Sequence, residues 1–478
     1  MSAPASEEVV RELVRRGLPE VEVLTKRGRA RRLVLELDGE VSAFSQEQAW
    51  AVRASSRRAS FFAAGAGELP GGDGGASGGP HTAGGAAVPG AAAARGGAGR
   101  PGGSGDPWPE ATGRPFRLPE PEAAPPWTEP ADFEAPLIGE SEGLGLLSGL
   151  ARELAAELPG SRLLHAAIED GSSEGELASS RGVRAGFRRR LATLHLEAAG
   201  PGRPGAGAAL YLAAREARRF HPKTLARRLA DRLSVEAGGA PPRQAAAAGG
   251  PAGAGSELLL APAVAAPLLA ALLPLLVGPG ALARLSPLRD RRGRIGSARL
   301  SILDDGRLPG GALECPIDGE AVPCREVVMV DEGVFRQPLL AWWQADGAAP
   351  GAASGCSRRP SWRDLPTPGP THLYIRPDPR LSVAALLADV SRGHYLIDAT
   401  GPARLDAGGG SFALPVCGFA VEAGRATAPI ARAWLCGTVA ALFKGLAAVA
   451  RDLSFLPLDG MLGSPTLLVT GLDLRGAP

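Results

Sequence analysis

One long apolar segment, Leu258 to Ala283, carries no charged residue and limits what the second half of the chain can form. Its length exceeds the roughly 20 residues that a helix needs to cross a bilayer. Prolines interrupt it at four places: Pro262, Pro267, Pro274 and Pro279. Because proline breaks helices and alanine contributes little to insertion, the segment favours a strand, a turn and a short buried helix. A membrane anchor is the alternative, and the basic flank Arg284 to Arg299 would suit it.

Composition indicates a globular protein with about two compact domains. Of 478 residues, 45% are hydrophobic and 21% are charged, but 66 glycines and 44 prolines concentrate in tracts that cannot pack a core. The net charge of +2 gives no field suited to nucleic acid or an anionic membrane. Five scattered cysteines and a polar N-terminus without an apolar signal core predict a reducing, cytoplasmic location without disulfides.

Low-complexity tracts divide the chain. We expect an N-terminal α+β domain at 1–62 and 116–237, interrupted by a disordered Gly/Ala/Pro-rich insertion at 63–115. A linker at 238–255 leads to a C-terminal domain at 256–478. His81 lies in the insertion and is not expected to bind a ligand.

Hydrophobic periodicity predicts α+β architecture with mostly antiparallel sheets and packed helices, since hairpin turns outnumber crossover helices. Val9, Val10, Leu13 and Val14 recur at helical spacing, and Val21 and Val23 alternate with Glu20 and Glu22 as in a strand. Each of two basic clusters, Lys26 to Arg32 and Arg184 to Arg190, is expected to be a solvated hairpin or loop face and not a phosphate-binding patch, and the first is interpreted as a basic turn. The same periodicities predict further helices near Leu147 to Leu158, from Pro222, at Val383 to Arg392 and at Leu435 to Leu453. Further strands are predicted at Leu163 to Ile168, Leu191 to Glu197, Ala298 to Leu303, Arg325 to Val330, Leu373 to Arg376, Phe419 to Glu422 and Thr466 to Leu474.

Familiar catalytic constellations are missing. The sequence has no G-x-S-x-G elbow, Walker motif or H-E-x-x-H motif, and Gly143, Gly145 and Gly149 lack the spacing of a dinucleotide loop. The six histidines are isolated, although His165 and His195 are predicted to face each other across paired strands. Asp304 and Asp305 should point to opposite faces of a strand that ends in a turn, and so should not share a metal.

Several segments together resemble the TldD/TldE (PmbA) family of peptidases. In family order they are ELLLAPAVAAPLLAALLPLL, LSILDDGRLPGG, IDGEAVPCREVVMVDEGVFRQPLL, LPTPGPTHLYIRPD, VAALLADVSRGHYLIDATG, FAVEAGRATAPIARAWLCG, AAVARDLSF and GSPTLLVTGLDL. The N-terminal EVEVLTKRGRARRLVLELDGEV is similar to the family's opening. This resemblance implies a two-domain TldD/PmbA-like architecture.

The resemblance also implies where a metal site would lie. Metal-bearing members carry H-E-x-x-x-H on a helix, with a cysteine near the C-terminus, and those positions fall here on Ala270, Ala271 and Leu275. The segment Leu458 to Pro465 lacks the cysteine. Since alanine and leucine bind no metal and accept no proton, we expect no catalytic or metal-binding residue in this chain. Pro274 should also bend or shorten the helix.

The resemblance therefore implies a TldE-type subunit that pairs with a zinc-bearing TldD-type subunit as a heterodimer or higher assembly. Such a pair would cleave short or unfolded peptides, including leader segments, while this chain helps to enclose the chamber and bind substrate. Candidate peptide or partner contacts are the turn at Asp304 and the loop Gly355 to Arg359, with Arg358 and Arg359 placed to pair with carboxylates. The alternative is a stand-alone binding or regulatory protein on a degenerate peptidase scaffold.

Overall fold

A computed structural model describes residues 5–36, 39–56, 60–69, 116–122, 133, 135–201, 207–240, 257–285, 288, 293–345, 353–406 and 410–476. The interior of the predicted insertion, 70–115 with His81, lies outside the described residues, as does most of the predicted linker, 241–256. The insertion was predicted to begin at Ala63, but 60–66 form a strand. The domain bounds themselves stay a prediction.

The described residues of the N-terminal half form one antiparallel sheet with three α-helices. The strands are β1 (Glu20–Glu36), β2 (Gly39–Ser55), β3 (Ser60–Ala66), β4 (Arg162–Ser179), β5 (Arg184–Ala199) and β6 (Gly207–Ala214), and the helices are α1 (Ala5–Arg15), α2 (Glu140–Glu157) and α3 (Pro222–Gly238). Their order across the sheet is β3-β2-β1-β4-β5-β6. Leu147, Leu150 and Leu154 of α2 are fully buried against β4 and β5, as their helical spacing predicts.

Both basic clusters lie within strands, so the prediction of a turn at Lys26 to Arg32 was wrong, while Arg184 to Arg190 lie in the hairpin that β5 forms with β4. Residues 26–32 are the middle of β1 and 184–190 begin β5. Between these strands runs β4, whose register sets Glu174 opposite Arg27 and Arg188. Opposite charges on neighbouring strands attract each other and remove the repulsion that would otherwise oppose pairing.

The C-terminal half contains two larger sheets and a two-stranded ribbon. The strands are β7 (Glu257–Leu260), β8 (Ile302–Asp305), β9 (Glu326–Asp331), β10 (Val334–Phe335), β11 (Ser357–Arg358), β12 (Thr367–Pro368), β13 (His372–Ile375), β14 (Arg392–Ala399), β15 (Arg404–Asp406), β16 (Ser411–Glu422), β17 (Arg425–Thr438), β18 (Leu446–Val449), β19 (Ser454–Leu458), β20 (Gly460–Ser464), β21 (Leu467–Val469) and β22 (Asp473–Gly476). The helices are α4 (Pro262–Ala271), α5 (Leu273–Leu276), α6 (Ala281–Leu285), α7 (Val383–Asp389) and α8 (Val439–Gly445).

These strands pair in the orders β10-β9-β8-β13-β20-β19 and β18-β21-β7-β14-β16-β17-β22, and β15 pairs with β16. All pairs are antiparallel except β13 with β20 and β7 with β14. The prediction of an α+β fold with mostly antiparallel sheets is therefore confirmed.

The apolar segment folds as a buried strand followed by short helices. It supplies β7 and then α4, α5 and α6, and most of its leucines are buried in the C-terminal core. Its helix α4 ends at Ala271, three residues before Pro274, which agrees with the shortening expected from that proline. Within the described ranges, no helix has the length and apolar character needed to cross a membrane.

Several element boundaries were predicted wrongly, and the strand predicted at Thr466 to Leu474 is two strands, β21 and β22. The helix predicted at Leu435 to Leu453 is instead the end of β17, the short α8 and then β18, because the chain up to Thr438 pairs with β16. The helix from Val383 ends at Asp389, and β14 begins at Arg392. The strand predicted from Ala298 begins at Ile302.

Candidate functional site

A buried ionic network joins the N-terminal sheet to the C-terminal half. Arg53 on β2 donates from Nε to Glu22 Oε1 at 2.9 Å and from Nη2 to Glu320 Oε1 at 2.9 Å. Arg359 also pairs with Glu22. The side chains of Arg53, Glu22 and Glu320 are at most 4% exposed. Such contacts hold β1 and β2 against the segments around 320 and 359.

Glu22 alternates with Val21 and Val23 along β1, as predicted for a strand, but it is buried as they are. This part of β1 is buried on both faces, and Glu22 is 1% exposed. Burial opposes its ionisation, but the Arg53 and Arg359 guanidiniums outweigh that effect and lower the pKa of Glu22. Sequence alone does not reveal this site, because the partners of Glu22 come from distant segments.

Beside this network lies a pocket of about 130 Å³, here called the junction pocket. One wall is a face of the N-terminal sheet, and the other comes from residues 313–324 and 357–371. It is lined by Leu24, Lys26, Gly175, Glu176, Leu177, Ala185, Phe187, Arg189, Leu313, Cys315, Ile317, Asp318, Gly319, Cys324, Ser357, Arg358, Arg359, Ser361, Trp362 and Thr371. The pocket thus combines cationic and apolar groups at the meeting of the two halves.

The sheet wall of the junction pocket follows from strand register. Lys26 pairs with Gly175, and Gly175 pairs with Phe187, so the three lie in a row across β1, β4 and β5. A side chain at Gly175 would meet the ring, since an added Cβ would lie 2.7 Å from Phe187 Cε1. Arg189 is two positions beyond Phe187 and therefore lies on the same face.

The opposite wall contains both arginines that the sequence singled out. Arg358 belongs to β11, and its Nη1 donates to the Pro370 carbonyl at 2.7 Å. Arg359 donates from Nε to the Gly319 carbonyl at 2.9 Å. Part of the loop predicted at Gly355 to Arg359 is strand β11, and residues 355–358 are buried or half-buried. Both arginines line the junction pocket, while their role as peptide contacts stays a prediction.

Asp318 is an acidic group of the junction pocket whose oxygens are already engaged. Its Oδ1 accepts from the amides of Glu320 at 2.8 Å and Val322 at 2.9 Å, and its Oδ2 accepts from Ser357 N at 2.9 Å. Burial and the nearby Glu320 charge raise the pKa of Asp318 to about 7. It therefore shapes the loop and is not directed at the arginines.

Asp304 lies in the interior next to the junction pocket. The prediction of a turn at this residue was wrong. It is within β8 and only 2% exposed, and its Oδ1 accepts from Thr371 N at 2.8 Å. Burial raises the pKa of Asp304 to about 7, although the Thr371 hydrogen bond and Arg358 oppose the increase. Its neighbour Asp305 is half-buried.

His372 on β13 is held as a neutral structural histidine. Its Nε2 accepts from Leu313 N at 3.1 Å, and its Nδ1, which must then carry the proton, donates to the Asp305 carbonyl at 2.9 Å. Burial lowers the pKa of His372 to about 4. With both ring nitrogens engaged, this side chain is not available for proton transfer.

His165 and His195 do face each other, with ring centroids 5.3 Å apart. His195 Nε2 also lies 3.3 Å from Glu197. The described part of the chain nevertheless holds no group of three or more histidine, cysteine or acidic residues arranged to bind a metal.

The positions aligned with the family's metal motif do not share one helix. Ala270 and Ala271 end α4, Leu272 follows it, and Leu275 lies in α5. Leu275 is 5% exposed and packs in the C-terminal core. Helix α4 contacts β19 and β20, which contain Leu458 to Ser464, so the segments that the resemblance pairs lie together. The side chains of Ala270, Ala271 and Leu275 have no atom that could bind a metal.

A family model described as the PmbA/TldA metallopeptidase C-terminal domain matches residues 255–476. A protein named metalloprotease TldD homolog, from Buchnera aphidicola subsp. Schizaphis graminum, is 25% identical over 171 residues. That match spans 36% of this chain and only 35% of the relative's length.

Solved structures share the fold over nearly the whole chain. TldE from Thermococcus kodakarensis superposes with a TM-score of 0.77 at 16% identity and covers 99% of this chain and 100% of that one. A protein described as a putative modulator of a DNA gyrase, from Thermotoga maritima, gives 0.75 at 16% identity, covering 98% and 99%. One with a similar description from Bacteroides thetaiotaomicron gives 0.71 at 14% identity, covering 99% and 98%.

Proposed function

Because this chain belongs to the TldD/TldE (PmbA) family, we propose that it is a TldE-like, non-catalytic subunit of a zinc metallopeptidase. Its partner would be a TldD-like subunit that carries the metal, and the pair would cleave short or unfolded peptides. This chain would help to enclose the chamber and bind substrate. It would bind no cofactor itself.

The observation that carries the proposal is the chemistry of Ala270, Ala271 and Leu275. Zinc in proteins is bound by cysteine, histidine, aspartate or glutamate, and a hydrolytic site also needs a group that accepts a proton from water. Methyl and isobutyl groups supply neither. The break between α4 and α5 supports the same conclusion, since ligands projecting from neighbouring turns need a continuous helix.

A structural role suits the way the two halves are joined. The Glu22–Arg53–Glu320 network holds the N-terminal sheet against the C-terminal half, and the junction pocket opens beside it. A rigid junction would keep a binding surface in place without contributing to bond cleavage. This chain could therefore bind substrate even though Ala270, Ala271 and Leu275 supply no catalytic group.

Co-expression with a TldD-like protein that has an intact H-E-x-x-x-H motif tests the proposal. We expect the chains to co-purify, with zinc present in the pair and absent from this chain alone. Unstructured peptides should be cleaved only by the pair, and a chelator should abolish cleavage. The matched control is a pair whose TldD-like subunit lacks the motif glutamate, which should assemble without activity.

Two results would contradict the proposal. Chelator-insensitive cleavage by this chain alone would place a catalytic centre in it. Failure to associate with such TldD-like proteins, with cleavage by those proteins alone at the same rate, would favour the stand-alone binding protein.

A further inference from the structure

The junction pocket presents three cations from three strands. Lys26 on β1 and Arg189 on β5 lie on the sheet wall, and Arg358 on β11 lies opposite them. Burial and the neighbouring Arg189 charge lower the pKa of Lys26 and of Arg358. Arg189 therefore lies near enough to act on both, and its charge disfavours the charged forms of Lys26 and Arg358.

The described acidic groups around the pocket form no ion pair with these cations, although the Glu47 charge favours the charged form of Lys26 and the Asp304 charge favours that of Arg358. Asp318 directs its oxygens to three backbone amides, and Glu176 is exposed at the rim. Asp304, behind Arg358, is engaged with Thr371 N. Among the described residues, none of the three cations forms an ion pair with a carboxylate; Arg358 instead donates to the Pro370 carbonyl. An anion in the pocket would relieve this unfavourable concentration of charge.

Apolar groups alongside the cations restrict the kind of anion. The Phe187 ring lies beside Arg189, whose Cζ is 5.6 Å from the ring centroid, while Ile317 and Trp362 belong to the far wall. A small, strongly hydrated ion gains nothing from such surfaces, whereas a peptide carboxylate arrives with aliphatic carbon attached. Arginine binds carboxylates with paired, charge-assisted hydrogen bonds.

We propose that the junction pocket binds a peptide carboxylate, from an acidic side chain or a C-terminus, through Lys26, Arg189 and Arg358. The apolar part of the same residue packs on Phe187. The inference rests on the proposed function only for the source of the ligand, a peptide. The binding itself needs neither a partner subunit nor zinc.

Calorimetry on the full chain alone tests this pocket. The probes are two blocked tetrapeptides, acetyl-Ala-Phe-Glu-Ala-amide and its Gln counterpart, and inorganic phosphate. We expect the Glu peptide to bind about tenfold or more tightly than the Gln peptide, since only the former offers a carboxylate. Phosphate should compete only weakly.

Arg189→Gln should lower the affinity for the Glu peptide by about tenfold. Arg27→Gln, which removes the same charge from the opposite face of β1, should change that affinity by less than about twofold. Arg358→Gln should act like Arg189→Gln, and thermal unfolding of each variant separates lost binding from lost folding. Equal binding of the Glu and Gln peptides, no binding of either, or equal effects of Arg27→Gln and Arg189→Gln would overturn the inference. Phosphate binding as tight as that of the Glu peptide would overturn the assignment to a peptide.

The two proposals fail separately. Cleavage by the assembled pair without Glu/Gln discrimination by this chain would remove only the pocket assignment. Discrimination by this chain without cleavage by any pair would remove only the peptidase-subunit assignment.

Discussion

Arg53 Nη2 and Glu320 Oε1 are 2.9 Å apart although the residues are 267 positions apart in sequence. Their side chains are 4% and 0% exposed. Glu320 also accepts from Trp342 N at 2.7 Å and from the Ser357 hydroxyl. The Glu320 carboxylate thus holds β2, β11 and the chain at Trp342 in fixed positions relative to one another.

Glu320→Ala should destabilise the protein by about 3–5 kcal/mol, because it leaves a buried guanidinium and a backbone amide without this partner. Chemical denaturation measures the change. Arg184→Ala is the control, since Arg184 pairs with Glu7 at 2.9 Å but its side chain is 72% exposed. An exposed pair contributes at most about 1 kcal/mol. Equal losses in the two variants would refute a special role for the buried network.

Asp304 should make stability fall as pH rises. Its pKa is raised to about 7 in the folded protein by burial, above the value of 3.8 for an unperturbed carboxyl. Its stabilising contribution is therefore complete below the unfolded pKa and is lost as pH rises through the folded pKa. Asp304→Asn cannot ionise, so its stability relative to the wild type should increase by on the order of 4 kcal/mol between about pH 4 and 8.

Urea denaturation of both proteins across this pH range measures that difference. His372 and Asp318 are present in both, so their own titrations cancel in the comparison. Parallel stability curves for Asp304→Asn and the wild type would show that Asp304 does not titrate in this interval.

Local sequence patterns predicted the elements whose burial is one-sided. The spacing of Leu147, Leu150 and Leu154 gave a correct helix, and the pairing of β4 with β5 followed from their alternation. Helical spacing failed at Leu435, where pairing with Leu414 of β16 holds the chain extended. Tertiary pairing overrides a periodicity that two secondary structures can satisfy.

The candidate site was only partly predictable. The resemblance pointed to Ala270, Ala271 and Leu275 and to Arg358 and Arg359, and both arginines do line the junction pocket. Lys26 and Arg189 were missed because their clusters were interpreted as solvated hairpin or loop faces. Cross-strand register brings them to one face, and Glu174, opposite Arg27 and Arg188, was the sequence signal that both clusters lie on strands.

Gly445 should tolerate no side chain. A Cβ added there would lie 2.0 Å from the Thr470 carbonyl oxygen, where α8 passes into β18. Gly445→Ala should therefore cost several kcal/mol, about 2 or more, since backbone must move. Gly145→Ala in α2 is the matched control: an added Cβ meets nothing within 4 Å. It should stabilise the protein by about 0.5–1 kcal/mol through helix propensity.

Thermal and urea denaturation of both alanine variants distinguish these effects. A neutral Gly445→Ala would mean that α8 and the segment at Thr470 are further apart than described. Loss of stability in Gly145→Ala would indicate that this face of α2 is covered.

Restoring the motif residues should not restore a metal site. The variant Ala270→His, Ala271→Glu, Leu275→His places all three groups at the aligned positions, but α4 ends at Ala271 and Leu275 belongs to α5. Its imidazole would have to enter the C-terminal core, where Leu275 is 5% exposed. The segment Leu458 to Pro465 also offers no thiol. We expect no stoichiometric zinc after dialysis, measured by elemental analysis.

The control for this variant is Ala270→His alone, at a half-buried position that should leave folding intact. Circular dichroism establishes that both proteins are folded before zinc is measured. One zinc per chain in the triple variant, absent from the single variant, would show that the helix break does not prevent ligation. The substituted side chains alone would then account for the missing metal, and Pro274 would carry no part of the explanation.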